Sequence, residues 1–169
     1  MNGLDADLIL SGDSAIWMGE IPSTWEQVDP EVVVNLCGVT PRGDPARRRV
    51  FMLSLLDLLD EAAVPSRASF EAFLDEVHAA ADGRASYWHC HAGLNRSGLA
   101  LGAYLHRHKG YAIGDAITTL RMKRSPMVLC NPVFEKALRT WYGRDDEQDF
   151  EPVRLDVWLR ERNGRSKGP

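Results

Sequence analysis

Tyr87-Trp88-His89-Cys90-His91-Ala92-Gly93-Leu94-Asn95-Arg96-Ser97 is the stretch on which the reading of the whole chain depends. A short β-prone run, Ala85-Ser86-Tyr87-Trp88, leads into it, and Gly98 followed by Leu99–Lys109, rich in good helix formers, leads out of it. Strand, tight loop and helix start in that order make an anion site, because the N–H groups of the loop and of the first helical turn point at one spot. Cys90 is expected beneath that spot. His91, Ala92, Gly93, Leu94 and Asn95 are expected to wrap it, and Arg96 to close it from the side.

If the anion is a phosphoryl group, each residue type has a task. The attacking species must be a thiolate, and a helix N-terminus, inward N–H groups and a neighbouring guanidinium all favour charged sulfur. Arg96 offers a planar fork that holds two phosphoryl oxygens at once, which lysine cannot imitate. Gly93 allows a positive φ at the bend of the loop. Ser97 can donate its hydroxyl to the sulfur and ease departure of the thiolate from a phosphocysteine. His89 is expected to brace the loop through ring hydrogen bonds rather than to react.

His89-Cys90-x5-Arg96-Ser97 resembles the signature of the cysteine-based protein tyrosine phosphatase superfamily. The run that continues it, Arg96-Ser-Gly-Leu-Ala-Leu-Gly-Ala-Tyr-Leu105, resembles the helix after the loop in the dual-specificity branch. Ala116-Ile117, Leu120-Arg121, Arg124-Ser125-Pro126, Asn131, Phe134 and Leu138 fall where that branch has a second, helical signature. The resemblance runs from about Leu8 to Tyr142 and weakens toward the N-terminus. It implies a phosphatase-like fold and a cysteinyl-phosphate mechanism, with neither metal nor cofactor.

A chain of 169 residues suffices for one domain with a full core and is short for two. The expected division is a catalytic domain over 1–142 and a polar linker with a partly disordered C-terminal extension over 143–169. The net charge of −4 argues against a general nucleic-acid binder. Three scattered cysteines without a C-x-x-C pair give no disulfide framework and no structural zinc site. The absence of a long apolar run or a basic-then-apolar start points to a cytoplasmic, reducing setting with no membrane partner.

Strands alternating with helices predict an α/β layered domain whose central sheet is mostly parallel. Leu8–Leu10 and Ile16–Gly19 read as an edge hairpin, and Ile21–Asp29 as a turn with a short helix. Val32–Leu36 reads as a buried strand, apolar on both faces. Gly38–Arg49 is expected to be a loop bordering the site, with Val50–Leu56 a further strand. Ser69–Ala81 has a helical apolar face in Phe70, Phe73, Leu74 and Val77. Tyr111–Lys123 is a predicted helix with Asp115 as N-cap, and Pro132–Trp141 another, started by Asn131-Pro132. Val153, Leu155, Val157, Trp158 and Leu159 suggest a terminal element that docks on the body.

The departing oxygen needs a proton, which calls for a carboxylic acid on a loop beside the pocket. The resemblance implies an Asp about thirty residues before the Cys, and two stand near there. Counting back from Phe70 favours Asp60, 30 residues before Cys90, whereas counting forward from the Val50–Leu56 strand favours Asp57, 33 before. The family also implies that Asn131 lies near the acid and arginine loops, although a helix cap is its simpler reading.

Plainer readings stand beside these. An isolated Cys90 would be inert packing, and Cys37 and Cys130 are read as packing, with a protective Cys37–Cys90 disulfide as the alternative for Cys37. Three adjacent residues, His89-Cys90-His91, cannot converge tetrahedrally on a metal. His106 and His108 are expected to be exposed and to face different directions. Arg42, Arg47, Arg48 and Arg49 read as a solvated loop, with a second-phosphate site as the alternative. Asn95 is expected to stabilise either the loop or the pocket entrance. The tryptophans are expected in the core, with Trp88 on the central strand.

The expected activity is hydrolysis of phosphotyrosine in proteins, with phosphoserine and phosphothreonine also accepted, because no long insertion deepens the pocket. The alternatives are an RNA 5′-phosphate, which Asn95-Arg96-Ser97-Gly98 also resembles, and a phospholipid, whose phosphatases tend to carry a loop Lys that is missing here. A catalytically silent phosphopeptide-binding module is the third.

Overall fold

Val32–Asn35 (β3) and Ser86–His89 (β5) are buried at every position and lie side by side as parallel strands, Val32 level with Ser86 and Asn35 level with His89. In this computed structural model, which describes residues 6–22, 25, 28–39 and 47–157, they are the inner pair of one five-stranded sheet. Ala6–Leu10 (β1) and Ile16–Gly19 (β2) form the expected antiparallel hairpin, and β2 runs parallel to β5. Arg49–Met52 (β4) pairs with β3 in parallel, so the strand order is β1-β2-β5-β3-β4. The fold is thus α/β with a mixed, mostly parallel sheet, as the sequence pattern predicts.

Successive side chains on a strand point to opposite faces, and β5 displays both. Trp88 turns to the main core and lies 4.8 Å, centroid to centroid, from Tyr104. Tyr87 turns the other way, to Val28, Trp17 and Trp25. Arg67–Ala81 (α1), Arg96–Lys109 (α2), Ile113–Lys123 (α3) and Pro132–Tyr142 (α4) supply the helices. Ser97 to Leu105 are all buried, so α2 is the central helix, touched by α1, α3, α4 and β5. A side chain at Gly98 would press on Val128 and Leu129, so glycine there lets the 125–131 turn close over the first turn of α2.

Three sequence expectations are corrected. The strand expected over Val50–Leu56 stops at Met52, because Asn35 folds its side chain back to accept from the Cys37 and Gly38 amides and ends the partner strand. Helix α3 starts at Ile113 with Ala112 as N-cap, which leaves Asp115 inside the first turn, where its charge still suits the helix dipole. His106 and His108 are not exposed. His106 Nδ1 lies 2.8 Å from the Tyr111 carbonyl, and His108 stacks on His78 at 4.2 Å and meets Asp75.

The arginine loop divides. Gly38 and Val39 follow the end of β3 that is level with His89, whereas Arg49 is level with Ser86 at the far end of the sheet. Arg48 pairs there with Asp29 and sits over Trp25. Arg42 lies outside the described residues, as does most of the short helix expected before Asp29. Beyond α4, Asp145–Glu147 form a 3-10 turn whose Glu147 carbonyl is held by Arg139. Leu155 and Val157 remain exposed, and Trp158 and Leu159 lie outside the described residues.

Candidate active site

His89 closes β5, and Cys90, buried, opens the loop that leads into α2. The carbonyls of the loop are all engaged on its outer side. The Ile21 amide donates to His91 O, Arg124 Nη2 to Ala92 O, Arg124 Nε to Gly93 O, and the Leu129 amide to Leu94 O. In a trans peptide the N–H points opposite to the C=O of the preceding residue. Four outward carbonyls therefore turn the amides of Ala92, Gly93, Leu94 and Asn95 toward the inside of the loop. Gly93 makes the bend with φ +64, and a Cβ there would collide with the Gly19 carbonyl.

Arg124 is the brace of this arrangement, and its Nη1 is itself held by Asp7 Oδ2 at 2.8 Å. In the sequence Arg124 stands out only as part of a motif; an Arg-Ser-Pro that ends a helix is the signal that could have marked it. Leu129, buried with φ +60, is a non-glycine in the left-handed region, a conformation that costs about 1–3 kcal/mol. Its amide reaches Leu94 from that conformation.

Several buried side-chain atoms at the loop have no hydrogen-bond partner among the described residues. They are both ring nitrogens of His89, Nε of Arg96 and Oγ of Ser97. A buried orphan of this kind costs about 1–3 kcal/mol, which points to a use other than stability. Among the described residues Arg96 makes one hydrogen bond, Nη1 to the Leu55 carbonyl at 3.4 Å. His89 sits in the interior, where burial pushes it down to about 4 and an interaction with the Cys90 backbone opposes the shift.

The two aspartates part company. Asp60 accepts from the Ala62 amide at 2.9 Å and caps the 3-10 turn Glu61–Ala63. Asp57 faces the loop. Its carboxylate accepts from Asn95 Nδ2 at 3.1 and 3.3 Å and from Asn131 Nδ2 at 2.9 Å. Asn131 also donates to the Leu58 carbonyl and caps α4 through the Val133 amide. Asn95 Oδ1 in turn accepts from the Asn131 amide at 2.9 Å. Asn95 occupies the N-cap position of α2 without capping it. Its amide is given wholly to Asp57 and the 130–131 turn.

Beneath these groups Glu135, fully buried, is shared by Arg121 at 2.6 Å and Arg139 at 2.8 Å. That triad locks α3 to α4 and so fixes the turn carrying Asn131. Cys37 and Cys130 are half-buried and free, as their packing role requires, and burial pushes the Cys130 thiol up. No group of three or more potential metal ligands occurs among the described residues.

The comparisons with known proteins agree with this fold. The fold resembles a mouse candidate dual specificity phosphatase complexed with zinc tungstate, at 20% identity, TM-score 0.68, 83% of this chain and 88% of the other. Human DUSP28 is similar at 19% identity and TM-score 0.67, over 82% of this chain and 93% of the other. PTPMT1 in complex with PI(5)P is similar at 18% identity and TM-score 0.57, over 80% and 97%. Among curated protein sequences none matches the chain. Residues 26–144 match the family of the dual specificity phosphatase catalytic domain, a span of well over half the sequence that holds the whole loop from Cys90 to Ser97, and the chain therefore belongs to that family of cysteine-based phosphatases.

Proposed function

We propose that the chain is a phosphoprotein phosphatase in which Cys90 is the nucleophile and Asp57 the general acid. The observation that carries this reading is the loop itself: four carbonyls turned out, the following amides turned in, and the half-satisfied Arg96 guanidinium beside buried Cys90. In the first step the Cys90 thiolate attacks phosphorus. The S–P bond forms, the P–O bond breaks, and Asp57 gives its proton to the leaving oxygen. The loop amides and Arg96 hold the other three phosphoryl oxygens through both steps. In the second step water attacks the phosphocysteine, Asp57 takes the water proton, and the Ser97 hydroxyl donates to the departing sulfur.

Asp57 is preferred to Asp60 because its carboxylate is tied to Asn95, next to Arg96, whereas that of Asp60 is occupied as a cap. The residues 143–169 are read as an extension outside this catalytic unit.

Phosphotyrosine in proteins, with phosphoserine and phosphothreonine as further substrates, suits a net charge of −4 and a loop without lysine. PTPMT1 in complex with PI(5)P shows a related fold with a phosphoinositide. Here Arg124, which meets the loop from outside, is committed to loop carbonyls and Asp7. Among the described residues no helix is long and apolar enough to cross a membrane.

Turnover of 4-nitrophenyl phosphate, abolished in Cys90→Ser, with acid-quench trapping of phosphate on Cys90, tests the chemistry. Phosphopeptides, phosphoinositides and 5′-triphosphorylated RNA offered to the same enzyme test the class. Hydrolysis of the lipid or RNA alone would remove the phosphoprotein reading.

A further inference from the structure

Leu56, Leu58 and Leu59 are 64%, 51% and 79% exposed and bracket Asp57. Single exposed leucines are ordinary on a protein surface, but three within four positions beside a catalytic loop are not. Nor do they sit on a loose loop. The Leu55 carbonyl is held by Arg96, the Asp57 carboxylate by Asn95 and Asn131, and the Leu58 carbonyl by Asn131. The catalytic apparatus thus fixes the backbone that displays these side chains, while nothing in the core requires them. Their exposure is built in, and the ordering that a binding surface otherwise costs is already done.

We infer that Leu56, Leu58 and Leu59 form an apolar rim that selects polypeptide substrates carrying an apolar residue beside the phosphorylated one. This deepens the phosphoprotein reading above and rests on it. The rim is continuous with the catalytic loop through Asp57, whose carboxylate Asn95 holds, and so flanks the approach of a chain whose phosphoryl group is presented to that loop. Charge narrows the occupant further. Asp60 and Glu61 lie within the same stretch, so an acidic residue next to the phosphorylated one meets like charge, and an anionic lipid surface does too. An aliphatic or aromatic side chain meets leucine.

The test is a ratio measured within each enzyme, which cancels any difference in the competent fraction. It compares kcat/KM for a phosphotyrosyl peptide with leucine or phenylalanine on both sides with the same peptide carrying glutamate there. Wild-type enzyme should favour the apolar peptide by about tenfold or more, the usual worth of one well-placed apolar contact. Leu56→Ser/Leu59→Ser should bring the ratio close to one, and Leu56→Met/Leu59→Met should keep it. A wild-type ratio near one, or one untouched by the serine variant, would overturn the inference. So would a flat peptide ratio together with leucine-dependent hydrolysis of phosphatidylinositol phosphate in vesicles, which would assign the rim to a lipid surface. Turnover of 4-nitrophenyl phosphate without hydrolysis of either peptide would instead bring down the phosphoprotein reading, and the rim's peptide role with it.

Discussion

Asn95 Nδ2 donates to both carboxylate oxygens of Asp57, at 3.1 and 3.3 Å, across 38 residues of sequence. The contact joins the loop, one residue before Arg96, to the segment that carries the proposed acid. A general acid matters most when the leaving oxygen is basic, because only then is its proton needed in the transition state. Asp57→Asn is therefore expected to slow phosphotyrosine hydrolysis about 10²–10⁴-fold, to slow an activated aryl phosphate less, and to erase the high-pH limb of the kcat/KM profile. Asp60→Ala should keep a bell-shaped profile and cost about 0.5–2 kcal/mol of stability as a lost cap. The opposite pattern would return the role to Asp60.

Asn95 gives up the capping bond that asparagine makes so well in order to hold Asp57 and the Asn131 amide. Asn95→Ala should then act through the acid. Its loss in kcat, about tenfold or more for a misplaced catalytic group, should be greatest for phosphotyrosine and least for an activated aryl phosphate. In the Asp57→Asn background the same change should cost far less, since there is no acid left to position. Additive losses in that double-mutant cycle would mean that Asn95 serves only the loop.

The loop was legible because its chemistry is local. A thiol, a glycine and an arginine within seven consecutive positions need only one strand and one helix start to become a site. The layered sheet was legible for a similar reason: Val32–Leu36 reads as apolar on both faces, Ala85–Trp88 as a β-prone run, and α1 has a clean helical stripe. The placement of Asp57 and Asp60 was not, because 53–60 forms neither strand nor helix and its path is set by Asn95 and Asn131, far away in sequence. Counting from either flank assumes a regular spacing that the segment lacks. Arg124 and the Glu135 triad were hidden in the same way, since a charged residue on a helix reads as solvated until its partner is known.

Gly93 tests the bend of the loop. Its φ of +64 is strained for any side chain, and a Cβ would also strike backbone, which cannot step aside as a flexible side chain can. Gly93→Ala is expected to lose at least about 1–3 kcal/mol in urea unfolding and most of the activity together. Wild-type activity in this variant would show that β2 and the loop can separate without cost.

Glu135 is a charge taken fully out of water, and two guanidinium groups compensate it. Removing it leaves Arg121 and Arg139 without their common partner, one of them also holding the Val128 carbonyl. Glu135→Ala should lower stability by about 3–5 kcal/mol, the usual result of breaking a buried ion pair. Because the triad anchors the turn that carries Asn131, kcat measured well below the lowered melting temperature should fall as well. A loss under about 1 kcal/mol would show that water replaces the carboxylate.

His89 gives the pH dependence a definite sign. Burial holds it at about 4 in the folded chain, below the ordinary 6.5, so between those values the unfolded chain binds a proton that the folded chain refuses. Its contribution to stability is therefore complete above the unfolded value, begins to fall as the pH drops through about 6.5, and is gone below about 4. Over the whole window the loss is about 3 kcal/mol, and between pH 7.5 and 5.5 about 1.4 kcal/mol. The upper part of that window is the informative one, because ordinary carboxylates titrate below it. His108, also pushed down to about 4, first by burial and then by the neighbouring His78 charge, adds a loss of the same sign. Urea unfolding at pH 7.5 and 5.5 for the wild type and for His89→Asn separates the two. The substitution should remove about 1.4 kcal/mol from the difference between the two pH values and leave the part due to His108. An identical pH difference in both proteins would show that His89 takes up its proton over the same pH range folded and unfolded, so that burial does not hold it down.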